Sequence, residues 1–180
     1  MAEEIVRRTA ISPAGDREKG FSSILDIELD RAYRVAGHIL GNAAEAEDAT
    51  QEALTKAWAS WQTLRTPDAA QGWFWRILVN CCRSRLRKRQ TQAVRDLAEA
   101  EDMPTTDPFV ASLARDVVGR AMGALNDEQR VTVVLRFWGD LTVPEIADRM
   151  RVRQGTVKSR LHSALSVMRR DLERRGEAES

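Results

Sequence analysis

The stretch from Leu141 to Arg170, LTVPEIADRMRVRQGTVKSRLHSALSVMRR, constrains this chain most, because its signals fall in register for two helices joined by a tight turn. Thr142 and Glu145 stand three residues apart, so the hydroxyl and the carboxylate can each satisfy one orphan amide at a helix start. Ile146, Ala147 and Met150 give that helix an apolar face, and the small Ala147 lets a second helix cross close to it. Val152 plugs the turn. Gln154 opens the second helix, whose Val157, Leu161, Ala164, Leu165 and Met168 recur at helical spacing and point inward. Gln154, Thr156, Lys158, Ser159 and His162 are left outside, with Arg160 at the flank. Short polar groups beside a Gln or Lys that can read base edges, with cations nearby for phosphate, suit a helix that enters the major groove. From Arg149 to Arg175 nine Lys or Arg stand against two acids, Asp171 and Glu173, the footprint of a polyanion partner. The competing reading is an amphipathic helix pair with a solvated basic face.

A chain of 180 residues can bury one or two small cores. Its formal net charge of +1 hides an asymmetry: seven acids and three bases from Phe21 to Trp61, then five bases and no acid from Arg83 to Arg89. Such blocks suggest an acidic face for protein and basic faces for nucleic acid. No apolar run approaches a membrane span, and MAEEIVRRTAISPAGDREKG lacks the apolar core of a signal peptide, so a cytoplasmic protein without membrane insertion is expected. Cys81 and Cys82 are the only cysteines, and His38 and His162 the only histidines, so neither a disulfide framework nor a metal site is expected. No phosphate-cradling glycine loop or nucleophile motif is present, and the expectation is no cofactor and no enzyme activity.

Along the chain, residues 1–20 read as a loose N-terminal arm. A helix is expected from Ser22 to Leu40, with Leu25, Leu29, Tyr33, Ala36 and Leu40 inward, stopping at Gly41. Asn42 caps a second helix, with Glu45 completing a capping box; Ala46, Ala49, Ala53, Ala57 and Trp58 form its buried stripe. Its other face carries Glu45, Asp48, Gln51, Glu52 and Lys56. After a turn at Thr66, Pro67 and Asp68 comes QGWFWRILVNCCRSRLRKR, a helix with Trp73, Ile77 and either Asn80 or Cys81 inward. Phe74 and Trp75 are not both expected to face inward beside Trp73. A ring left at the surface next to Arg76, Arg83, Arg85, Arg87, Lys88 and Arg89 would make a single-strand platform. Packed tryptophans followed by a basic helix end that suits the helix dipole remain the alternative. From Thr91 to Thr106 periodicity fails and acids gather, marking a linker. Asp107 and Pro108 restart a helix with Val110, Leu113, Val117, Ala121 and Leu125 inward. Asn126 and Gln129 cap the next, lined by Val131, Val134, Leu135 and Trp138, where flanking caps outweigh the strand preference of VTVV. The fold class expected is all-α: two small helical domains, residues 21–90 and 108–175, joined by a flexible acidic linker over 91–107.

This constellation resembles a bacterial sigma factor of the extracytoplasmic-function class of the sigma-70 family, which keeps the second and fourth conserved regions. AEDATQEALTKAW is similar to the second-region helix, GWFWRILVN to the melting helix, and LTVPEIADRMRVRQGTVKSRLHSAL to the fourth-region signature, with GTVKSRLH intact from Gly155 to His162. The resemblance implies a factor that binds core RNA polymerase, recognises the minus-thirty-five and minus-ten promoter elements and promotes melting. It places Asp48, Gln51 and Glu52 against the clamp helices of the beta-prime subunit, with further contacts on the beta subunit. It places Asn80 to Arg85 at a flipped minus-ten base, Asn80 offering its amide, Trp75 and Arg76 near the melted junction, and Arg83, Arg85, Arg87 and Lys88 as cations. Extruding a base costs a few kcal/mol, so a pocket for the flipped form turns recognition into opening. Arg153, Gln154, Thr156, Lys158, Ser159, Arg160 and His162 would enter the major groove at minus thirty-five. The linker acids would imitate RNA phosphates inside the polymerase, and an anti-sigma protein would be a further partner. Arg151 stands where the family usually has Gly, and so must turn left-handed or change the turn; Arg153 replaces a small capping residue, and Ser84 a frequent acid. The alternatives are a stand-alone helix-turn-helix regulator and an adaptor that binds polymerase or an anti-sigma protein.

Overall fold

The structure, a computed structural model, describes residues 13–61, 64, 69–95 and 117–178, and their regular structure is helical. The elements are α1 (Pro13–Leu40), α2 (Ala43–Ser60), α3 (Ala70–Arg95), α4 (Val117–Gly123), α5 (Asp127–Phe137), α6 (Val143–Met150) and α7 (Gln154–Ala178). The first three pack on one another; α4, α5 and α6 pack on α7. The halves also touch, α3 lying against α5 and α6 and α1 against α5.

Four alanines of α2, Ala46, Ala49, Ala53 and Ala57, are fully buried, so α1 and α3 can approach its backbone closely. Gly41 ends α1 at φ +65°, the left-handed conformation glycine adopts without strain. The Asn42 side chain accepts the Glu45 amide at 3.0 Å. The reciprocal half of that expected capping box is not what Glu45 does: its carboxylate binds Arg89 of α3 at 2.7 Å instead. Trp58, expected inside, is 39% exposed and packs edge-on against Phe21 at 5.2 Å.

The inner stripe of α1 is Ala32, Val35, Ala36, Ile39 and Leu40, whereas Leu29, expected inward, faces out. Buried Glu28 explains the shift. Its carboxylate accepts the Trp75 indole N–H at 2.8 Å and the Gln71 amide, with Arg31 3.8 Å away. A buried carboxylate is tolerated only when so satisfied, and these bonds fix the rotation of α1. The helix begins at Pro13, inside the stretch read as a loose arm; proline in a first turn sacrifices no helical hydrogen bond. At its other end α3 runs to Arg95, past the Thr91 where periodicity fails. Asp107, Pro108, Val110, Leu113 and the linker acids lie outside the described residues.

In α5 the run from Val131 to Leu135 is buried on every side, and it is helical. The Asn126 and Gln129 capping box is closed by bonds of 2.9 and 3.1 Å. With α1, α3, α6 and α7 all against it, burial and capping outweigh the β preference of the branched side chains.

Candidate nucleic-acid interface

The helix-turn-helix is built from local bonds. The Thr142 amide and hydroxyl both donate to Glu145, at 2.8 and 2.6 Å, and these bonds hold the Glu145 carboxyl below its usual range. Arg151 adopts φ 54°, ψ 49°, the left-handed turn, and its amide reaches the Asp148 carbonyl at 3.2 Å. A non-glycine residue there costs about 1 kcal/mol, so the turn is kept at the expense of strain. Half-buried Val152 donates its amide to Ala147 at 2.9 Å, and the Arg153 carbonyl then accepts the Thr156 amide to start α7.

Along α7, Gln154, Lys158 and His162 are exposed at four-residue spacing, with Arg153 and Ser159 beside them. Thr156 is half-buried, and the Ser159 hydroxyl donates back to its carbonyl at 3.0 Å. Leu165, expected inside, is 47% exposed and continues this outer stripe; the inward seam of α7 is Val157, Leu161, Ala164, Val167 and Met168. Arg160 points away from the stripe and pairs with Glu128 of α5 at 2.7 Å.

The α3 surface is arranged differently. Asn80, Arg87 and Lys88 are exposed, the two cations lining a shallow groove with Ser84, Thr91 and Gln92. Arg85 is held by Asp48 and Glu52 of α2, at 3.3 and 3.2 Å. Glu52 is held below its usual range first by Lys56, 2.6 Å away, and then by Arg85. Gln51 is exposed between them. Arg76 binds both oxygens of Asp148 at 2.8 Å and lowers that carboxyl. Arg83 binds Glu128 at 2.7 and 2.9 Å and the Met150 carbonyl at 3.3 Å.

Phe74 and Trp75 are both 1% exposed, so the expectation that one of these rings stays near the surface fails. Trp73 is the half-buried ring, tilted against Trp61 at 5.9 Å, and Ile77 is half-buried too; Cys81 rather than Asn80 faces inward. Trp75 can go inside because Glu28 satisfies its N–H, and Arg31 lies 5.2 Å over the ring. Sequence reasoning missed Glu28, Glu128 and Asp148. Their partners stand 47, 45 and 72 residues away, and no local pattern links such pairs.

Among the described residues no group of His, Cys, Asp and Glu is arranged to hold a metal, and no helix is long and apolar enough to cross a membrane. Fold and surfaces together define an all-helical DNA-binding protein with a helix-turn-helix in one half and an acidic–basic helix pair in the other. Residues 26–92 match Sigma-70 region 2, and residues 121–170 match Sigma-70 region 4. The chain is 30% identical over 148 residues to the ECF RNA polymerase sigma factor SigL of Mycobacterium tuberculosis, covering 80% of this chain and 84% of that one. It is 29% identical over 185 residues to the ECF RNA polymerase sigma factor SigW of Bacillus subtilis, covering 96% and 98%. A solved complex of the Bartonella quintana sigma factor RpoE with the anti-sigma factor NepR is similar in structure, with TM-score 0.71, 25% identity, and coverage of 87% of this chain and 98% of that one. The chain belongs to the sigma-70 family and is an RNA polymerase sigma factor of the extracytoplasmic-function class.

Proposed function

We propose that the work of this sigma factor is divided among three surfaces. The outer face of α2, with Asp48, Gln51 and Glu52, docks on the beta-prime clamp helices, while the second half meets the beta subunit. The stripe of α7, with Arg153, Gln154, Thr156, Lys158, Ser159, Arg160 and His162, reads the minus-thirty-five element. On α3, Asn80 meets the flipped minus-ten base while Arg76, Arg83, Arg85, Arg87 and Lys88 hold the non-template strand. Trp75 serves the last surface indirectly, by fixing α3 on Glu28 of α1. The functional units are residues 21–90 and 108–175, with 91–107 threading the polymerase.

The observation that carries this reading is the unobstructed stripe of Gln154, Lys158 and His162 behind a fully formed turn. Its polar groups and cations are free to meet base edges and phosphates. An anti-sigma protein is a fitting further partner, because RpoE, similar over most of this chain, forms such a complex. The protein acts in the cytoplasm, where polymerase and promoters are, and supplies no catalytic group of its own.

The test is run-off transcription by core polymerase on a genomic promoter library with this protein added. Discrete starts sharing two upstream elements are expected. Asn80→Ala should lose opening while keeping polymerase binding, and Lys158→Ala should lose minus-thirty-five dependence. Co-purification with polymerase but no starts would establish the adaptor instead.

A further inference from the structure

Two edges of α3 are turned to its neighbours: Arg85 and Arg89 pair with carboxylates of α2, and Arg83 and Gln90 with carboxylates of α5. Between those edges Asn80, Ser84, Arg87, Lys88, Thr91 and Gln92 recur at steps of three and four residues, so they share one face of the helix. All are exposed except half-buried Ser84. The last five line one shallow, open groove, and no acid is among them. The Thr91 hydroxyl donates to the Arg87 carbonyl at 3.0 Å, an exposed bond that a phosphate oxygen can take over. Its loss leaves the helix intact, because that carbonyl also accepts an amide of the next turn.

We propose that this groove grips the backbone of the promoter duplex just upstream of the flipped minus-ten base, with Ser84, Thr91 and Gln92 donating to phosphate oxygens beside Arg87 and Lys88. The proposal rests on the assignment of Asn80 to that base made above. From Asn80, α3 leads toward the half that reads the minus-thirty-five element, so its last turns face the upstream side. Between Asn80 and Gln92 the helix rises about 18 Å, and duplex DNA rises about 3.4 Å per pair, so the grip reaches about the fifth pair. Hydroxyls and amides that donate to phosphate fix position and register without reading bases. An open groove suits a backbone, whereas a flipped base needs a snug pocket. Held at its last closed pairs, the duplex cannot slide, and capture of the base at Asn80 parts the strands instead.

The test uses the full chain bound to core polymerase, and forked DNA in which a single-stranded minus-ten element is joined to upstream duplex. Two duplex lengths are compared, one ending opposite Asn80 and one running past Gln92, and neither carries a minus-thirty-five element. The wild type should bind the long fork about tenfold more tightly than the short one, a gain in the range of hydrogen bonds to charged oxygens. The double variant Thr91→Ala, Gln92→Ala changes two exposed positions to a residue that favours helix. It should lose most of that gain while matching the wild type on the short fork, which also shows that it is folded. A different spacer sequence of the same length should leave the gain unchanged. A wild type indifferent to duplex length, an equal gain in the variant, an equal loss on both forks, or a gain that follows the spacer sequence would overturn the grip alone. No binding to either fork, together with no discrete starts in run-off transcription by the wild type, would remove the assigned function and the grip with it.

Discussion

The outer stripe of α7 and the basic face of α3 are both rich in cations, yet they stand in opposite conditions. On α7, Lys158 and His162 project into solvent from a helix seated on its own neighbours. On α3, Arg76, Arg83, Arg85 and Arg89 each meet a carboxylate, two from α2 and two from the other half of the molecule. A run of like charge in a sequence therefore measures potential for phosphate, while the availability of that charge depends on acids placed opposite by the fold.

The contrast makes α3 the surface that depends on packing and α7 the one that depends on exposure. Trp75→Ala should strike hardest, losing about 3–5 kcal/mol of unfolding free energy in urea, since it empties a buried site and strands Glu28. An α3 that tolerates this change would remove the asymmetry. Lys158→Ala should leave stability within about 0.5 kcal/mol. In holoenzyme binding to a minus-thirty-five duplex it should cost about tenfold and flatten the salt dependence by about one unit. Arg151→Gly should stabilise the protein by about 1 kcal/mol, seen as a raised urea midpoint, by relieving the left-handed turn without touching the stripe.

A pH titration sharpens the comparison at the seam. Burial, with Arg34 adding repulsion, lowers the His38 pKa from 6.5 to about 4, and Trp138 lies across the ring. The folded form therefore holds His38 neutral. Its contribution is complete above pH 6.5, is lost as pH falls from 6.5 toward 4, and changes no further below that. Melting temperature should drift downward through this window, and His38→Phe should flatten the drift; an unchanged slope in that variant would place the titrating group elsewhere. Arg85→Ala should matter least, within about 1 kcal/mol in chemical unfolding, because it removes only partly exposed pairs.

How much of this could be read in advance follows the range of each interaction. The Thr142–Glu145 and Asn126–Gln129 caps, Gly41, the alanine stripe and the turn at Arg151 are i to i+4 matters, and each stands where the residue order puts it. The rotation of α1 could not be read, because Glu28 outranks Leu29 only once Trp75 and Gln71 arrive from α3. Likewise Leu165 lies outside although its spacing suits the seam, and Val167 takes the inward place instead. The exposure of Gln154, Lys158 and His162 was legible from their four-residue spacing, whereas the turn of Arg160 toward Glu128 was not. The pairing of α3 was not, since it depends on acids far along the sequence.

Cys81 and Cys82 sit almost wholly inside the bundle. Burial pushes both thiols up, Cys82 to about 12, and so disfavours the reactive thiolate at neutral pH. The adjacent cysteines therefore act as small apolar wedges, and the folded protein holds both as thiols at neutral pH.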